Sequence, residues 1–195
     1  MDSAVTDREL QNLHDGGIRG IRFNFVKHLG GVPDLGVVNR LVARIKPMGW
    51  HVVLHLDAED LLTQQDLLRQ IDVPFIIDHM GRVRAGDGLG QHPFQLLLDL
   101  FDTNPLAWIK VCGSERVSVG KRPFLDAVPF ARALIAVDSQ RILWGTDWPH
   151  PNITKDMPND GALVDLFAEI CPDPEVRQRI LVDNPSRMYW ADSAI

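Results

Sequence analysis

Five short apolar runs, each followed by a polar loop and then by a longer stretch of helical period, constrain this chain more than any other feature. The runs are GIRGIRFNF (17–25), WHVVLHLD (50–57), VPFIIDH (73–79), AWIKVCG (107–113) and RILWGTD (141–147). Between them, residues 35–49, 59–71, 92–104 and 124–137 carry leucines and valines three and four positions apart, the spacing of one apolar helix face. Strands alternating with helices, at roughly 30 residues per unit, predict an α/β fold with a parallel sheet built from right-handed crossovers. Two more helices are expected near 160–170 and 174–182. Before the first strand, Thr6 followed by Glu9 has the pattern of a capping box, opening a short helix that ends at Gly16-Gly17.

The chain of 195 residues is 45% hydrophobic and 24% charged, enough apolar material for a sizeable core and against disorder. No interior linker divides it, so one domain over 1–195 is expected. The formal charge of -6, with Lys and Arg scattered along the chain, gives no electrostatic footprint for nucleic acid or an anionic membrane. Cys112 and Cys171 lie far apart without CxxC spacing, and no apolar run is long enough to span a bilayer. A reducing cytoplasm is the expected location.

In parallel α/β architectures the reactive groups gather where strands finish, because that rim is made of loops and the helix N-termini that follow. The first strand ends with Arg22 and Asn24, then Lys27 and His28; the second with His55 and Asp57. The third ends with Asp78, His79 and Arg82, the fourth with Lys110, Ser114, Glu115 and Arg116, and the fifth with Asp147, His150 and Asn152. One such residue is ordinary, since a strand-end His is commonly a hydrogen-bonded structural residue and an Asp after Gly-Thr a turn former. Five consecutive strand ends that present ionisable groups to one rim predict a binding or catalytic site, because unpaired buried charge is costly.

Other chemistries lack their signatures. The chain has no GxGxxG after its first strand, no GxxxxGK[ST] and no GxSxG, which removes the phosphate cradle and the nucleophile elbow. The glycine-rich GDGLG at 86–90 follows GRVRA rather than a strand and reads as a flexible loop over the rim. Trp148, between Asp147 and Pro149, is placed to wall a pocket.

At IIDHMGR, WIKVCGSERVS, ILWGTDWPHPN and the terminal DNPSRMYW, taken with GIRGIRFNFV, the chain resembles the amidohydrolase-related proteins grouped with 2-pyrone-4,6-dicarboxylate lactonase. The resemblance runs from about residue 5 to the C-terminus and rests on the order of these motifs. It implies a (β/α)8 barrel that hydrolyses lactones or related small acids, in the setting of aromatic catabolism. Asp147 would then close the last strand as the group that activates water. His79 would polarise the substrate carbonyl or, in metal-using relatives, ligate a divalent ion such as zinc. Arg22 and Arg116 match positions that hold substrate carboxylates, and a guanidinium offers two parallel donors for that task. His28, His55, His150 and Asn152 would complete the substrate pocket. At His28 the lactonase pattern has arginine, so one anion clamp is weakened or the preferred substrate differs.

The family's first strand carries a His-x-His pair that occurs nowhere here. Counted back from Asp147, the five strands would be four to eight of a barrel, an N-terminally truncated domain with open edges that a second copy could cover. Without that pair, His79, Asp147 and His55 are thin for a zinc site, and no cofactor is expected. The expected function is hydrolysis of a small acidic lactone. The rival readings are a sugar-acid lactonase or decarboxylase of the same superfamily, a non-catalytic binding or scaffold remnant, and an open doubly wound sheet, which a reversal in strand order would reveal.

Overall fold

A computed structural model describes residues 4–153 and 157–190. It contains five strands, β1 (Gly20–Asn24), β2 (His51–His55), β3 (Phe75–Ile77), β4 (Ala107–Lys110) and β5 (Ile142–Leu143). They form one sheet in the order β1-β2-β3-β4-β5, and every neighbouring pair is parallel. The order never reverses, which rules out the doubly wound alternative.

Helix α1 (Asp7–Asp15) precedes β1 and opens on the expected capping box, with Glu9 N donating to Thr6 Oγ1 and Thr6 N to Glu9 Oε2. Helix α2 (Leu35–Ile45) begins at Asp34, whose side chain accepts from Val37 N. The single helix expected over 59–71 is two, α3 (Ala58–Thr63) and α4 (Gln65–Gln70), broken at Gln64. The break lets Leu61 on one and Leu67 and Leu68 on the other all reach the interior. Helices α5 (His92–Thr103), α6 (Ser114–Val117) and α7 (Val128–Val137) follow, then α8 (Asp160–Ile170), α9 (Pro174–Gln178) and α10 (Asn184–Tyr189). Proline sits in the first turn of α5, α7, α9 and α10, where its missing N–H costs nothing. The run expected over 174–182 passes through a π-type turn at Arg179–Asp183 straight into α10, which periodicity did not separate. The GDGLG stretch (86–90) begins inside a 3-10 turn at Ala85–Asp87.

Alternation along the strands sorts side chains onto two faces. Ile21, Phe23, Val52, Leu54, Phe75, Ile77, Ala107, Ile109 and Ile142 pack with the helices into the main core, joined by Leu41, Ile45, Leu97, Phe101 and Leu134. The opposite face carries a small apolar cluster, Ile76, Trp108 and Leu143, packed with Val53, Met188 and Tyr189. Beside that cluster the same face carries Arg22, Asn24, His55, Asp78 and Lys110. No helix among the described residues is long and apolar enough to cross a membrane.

Candidate active site

Strand β3 runs out at Ile77 into Asp78–Arg82, a tight turn in which His79 (φ 52), Met80 (φ 53) and Gly81 (φ 63) are all left-handed. Consecutive left-handed residues with side chains are unfavourable, by about 1–2 kcal/mol each. Burial of Met80 in the core holds the turn in place. At 81, with φ 63, glycine avoids the strain a side chain would bring, and a Cβ there would lie 2.7 Å from Leu61 Cδ1 and push that side chain aside. Beyond β5, Asp147 (φ 67), His150 (φ 57) and Asn152 (φ 66) repeat the pattern. Among the described residues, six of the seven non-glycine residues with positive φ thus lie on two strand-end loops, the kind of local strain that marks functional sites.

These loops bring the expected residues together. Arg22, Asn24, His28, Leu29, His55, His79, Arg116, Asp147, Pro151 and Asn152 line a cavity of about 250 Å3. A second hollow of about 150 Å3 shares Arg22, His79 and Asp147 and is completed by Asp78, Lys110, Cys112, Trp144 and Gly145. His79 Nε2 lies 3.8 Å from Asp147 Oδ1, too far for a direct hydrogen bond and close enough for both to meet one ligand atom. Arg116 donates from Nε (2.9 Å) and Nη2 (2.6 Å) to Asp147 Oδ2, which leaves Oδ1 directed toward His79. His55 is held from both sides, with Nδ1 3.2 Å from Asn24 Oδ1 and Nε2 3.4 Å from Arg82 Nη1. Since arginine can only donate, Nε2 accepts and Nδ1 carries the proton.

Two expected residues fall elsewhere. His150 is buried away from the cavity lining, with Nε2 3.3 Å from Asp160 Oδ1 and Nδ1 3.9 Å from Glu115 Oε1. The turn that closes on it, His150 N to Asp147 O at 2.8 Å, makes it a support for the Asp147 loop. Trp148 is 76% exposed and walls nothing.

Sequence reasoning noted Asp78 and Lys110 as strand ends without giving them a part in the site. Asp78 is buried between Lys110 Nζ at 2.9 Å and Arg22 Nη2 at 3.0 Å. Burial pushes its carboxyl up, but Lys110 and Arg22 together outweigh burial and the net direction is down. Lys110 is the mirror case: burial pulls its ammonium down, Asp78 opposes, and the net direction is up. The signal for this pair was the opposite charges at strand-end positions of neighbouring strands, Asp78 just past β3 and Lys110 closing β4. Burial, helped by Arg22, His79 and Arg82, pulls the His55 imidazole down to about 3. Burial pulls His79 down to about 4 against Asp78 and Asp147. At neutral pH both rings are uncharged, so the charged groups lining the two hollows are three cations (Arg22, Lys110, Arg116) and two carboxylates (Asp78, Asp147), and the buried Glu115 Oε1 lies 3.6 Å from Arg116 Nε.

The chain matches the family model described as Amidohydrolase over residues 2–190. It belongs to the amidohydrolase family. Among curated amidohydrolase relatives, it is 41% identical over 197 residues to a 2-pyrone-4,6-dicarboxylate hydrolase of Comamonas testosteroni, covering 97% of this chain and 65% of that one. It is 39% identical to a 4-sulfomuconolactone hydrolase of Rhizobium radiobacter, covering 95% and 62%. The chain therefore spans less than two thirds of these relatives. Among solved structures it is similar to a candidate 2-pyrone-4,6-dicarboxylic acid hydrolase from Acinetobacter baumannii with citric acid bound, at TM-score 0.81 and 26% identity, covering 97% of this chain and 70% of that one. The fold also recurs in an amidohydrolase from Burkholderia multivorans with bound zinc, at TM-score 0.75 and 18% identity, covering 97% and 71%.

The described residues of this chain do not fit a divalent ion. No group of three or more His, Cys, Asp or Glu is arranged to hold one. Both nitrogens of His55 have partners, and Asp147 Oδ2 is taken by a guanidinium.

Proposed function

We propose that this chain carries the strand-four-to-eight sector of a (β/α)8 barrel and the hydrolytic half of a site that opens small lactones bearing anionic groups, of the 2-pyrone-4,6-dicarboxylate kind. The observation that carries the reading is the approach of His79 Nε2 and Asp147 Oδ1 to 3.8 Å on one cavity lined by two guanidinium groups. Asp147 Oδ1 takes a proton from water as the oxygen attacks the lactone carbonyl carbon, and His79 donates a hydrogen bond to the carbonyl oxygen as negative charge develops there. The ring C–O bond then breaks, and the proton passes from Asp147 to the departing oxygen, giving a hydroxy acid or its tautomer. Arg22 is the anchor for a ligand carboxylate: it is 44% exposed at its side chain and spends one nitrogen on Asp78. Arg116, committed to Asp147 and Pro151 O, orients the base. The two hydrolases among the relatives and the citrate held by a third support a small anionic lactone as substrate.

The test is hydrolysis of 2-pyrone-4,6-dicarboxylate, followed by loss of pyrone absorbance, for the wild type and Asp147→Asn. The asparagine variant is expected to lose roughly 10²–10⁴-fold in kcat, the usual scale for removing a general base. Wild-type turnover that survives the substitution refutes the role of Asp147, and absence of wild-type turnover refutes the assignment of hydrolysis to this chain.

A further inference from the structure

The two nitrogens of the His79 ring have unlike surroundings. Nε2 faces Asp147 on the cavity side, whereas Nδ1 lies 3.3 Å from Cys112 Sγ in the interior. A neutral imidazole carries one ring proton, and the partner of one nitrogen decides what the other does. Cys112 is 4% exposed, and burial pushes its thiol up to about 12, so the S–H is retained at neutral pH. Thiol sulfur is a weak acceptor, which makes S–H donation to a nitrogen lone pair the better use of a contact at this distance. The next residue locks the arrangement. Gly113 has φ +72, and a Cβ there would lie 2.6 Å from His79 Nδ1, so the backbone after β4 passes directly against the ring.

We propose that Cys112 is a positioning residue whose S–H donates to His79 Nδ1, placing the ring proton on Nε2 and aiming that N–H into the cavity beside Asp147. The consequence for catalysis rests on the hydrolytic reading above. An Nε2–H cannot accept a proton from water, so the roles separate: Asp147 receives the proton, and His79 supplies an uncharged donor for the carbonyl oxygen. That donor needs no protonation step at neutral pH. With the proton on Nδ1, Nε2 would turn a lone pair toward the developing oxyanion and repel it.

The tautomer can be read without turnover, from ring 15N shifts of ligand-free protein labelled at histidine, with His79 assigned through His79→Gln. The wild type is expected to show a protonated Nε2 and an unprotonated, hydrogen-bonded Nδ1. Cys112→Ser, which keeps a donor, is expected to preserve this pattern, and Cys112→Ala to give a mixture of tautomers. For kcat, Cys112→Ala is expected to fall by roughly tenfold to 10²-fold, short of the ~10²–10³-fold seen when a donor is deleted outright. The serine variant should recover most of the loss, with KM nearly constant in both. A proton on Nδ1 in the wild type overturns the proposal, and this result needs neither variant to fold. An unchanged tautomer in Cys112→Ala overturns it as well. Asp147→Asn is expected to leave the His79 shifts in the same class while lowering kcat by roughly 10²–10⁴-fold, so failure of the hydrolytic reading and failure of this one give different results.

Discussion

Acidification should begin to destabilise this protein below about pH 6.5, before most of its carboxylates titrate. Three buried histidines are responsible: His51, His55 and His79 are each no more than 6% exposed. Burial is the main cause in each, and pulls them from 6.5 to about 4, 3 and 4 respectively. The sign follows from proton counting. Below 6.5 the unfolded chain protonates these rings while the folded chain keeps them neutral, so the unfolded state binds more protons and stability falls as pH falls. The loss levels off only near pH 3–4, where the folded rings also titrate. Each ring contributes at most about 1.4 kcal/mol per pH unit inside that window, so the three together give no more than about 4 kcal/mol per unit. Against a typical total of roughly 5–15 kcal/mol, the fold should be lost between about pH 5 and pH 4. Glu115, pushed up by burial, works the other way, whereas Asp78, Asp126 and Asp138, all shifted down, remove further stability only below about pH 4. Urea midpoints measured from pH 7.5 to 4.5 give the slope directly. His51→Leu provides the control, since His51 lies outside the cavity against Tyr189, and it should flatten the slope by about a third. A midpoint unchanged between pH 6.5 and 4.5, or a slope unaltered in His51→Leu, refutes the burial argument.

Two substitutions probe the polar interior in the same assay. Lys110→Met leaves the Asp78 carboxylate with Arg22 alone and should cost about 3 kcal/mol at pH 7, the low end for breaking a buried pair, with much of the loss recovered in Lys110→Met/Asp78→Leu. A single variant as stable as wild type would show that Arg22 suffices. Asn184→Leu removes two donations from Nδ2, to Ser139 O (2.8 Å) and Ile142 O (2.7 Å), which tie α10 to β5, and should cost about 2–3 kcal/mol through the carbonyls left unpaired. A loss below about 0.5 kcal/mol in the urea midpoint would mean that water replaces the amide at both.

The sheet was legible because its strands, running 107–113 or 50–57 in sequence, are apolar on the helix side at every second residue and their helices keep a 3.6 period. The strand ends were legible as a set for the same reason: once Ile76, Trp108 and Leu143 are assigned to the inner face, Asp78, Lys110 and Gly145 two residues on share that face. Pairing was not legible. The family resemblance assigns Arg22 and Arg116 to ligand carboxylates, yet each reaches first for an acid of the protein, Asp78 and Asp147. Which carboxylate a guanidinium meets depends on inter-strand register and on loop backbone angles, and neither has a signature in a local window. His150 shows the same limit: a histidine two residues from the cavity-lining Asn152 turns into the interior because His150 N closes a turn on Asp147 O. The wide spacing of Cys112 and Cys171 gives Cys112 no part in the site, since its contact to His79 spans 33 residues and two strands. In each case residue type predicted the chemistry available, and the left-handed turns after β3 and β5 decided which groups meet. A site built this way is only as rigid as those turns, so alanine at Gly81 or Gly113, where a Cβ would press on Leu61 or on His79, should disturb the cavity more than loss of any one exposed charge around its rim.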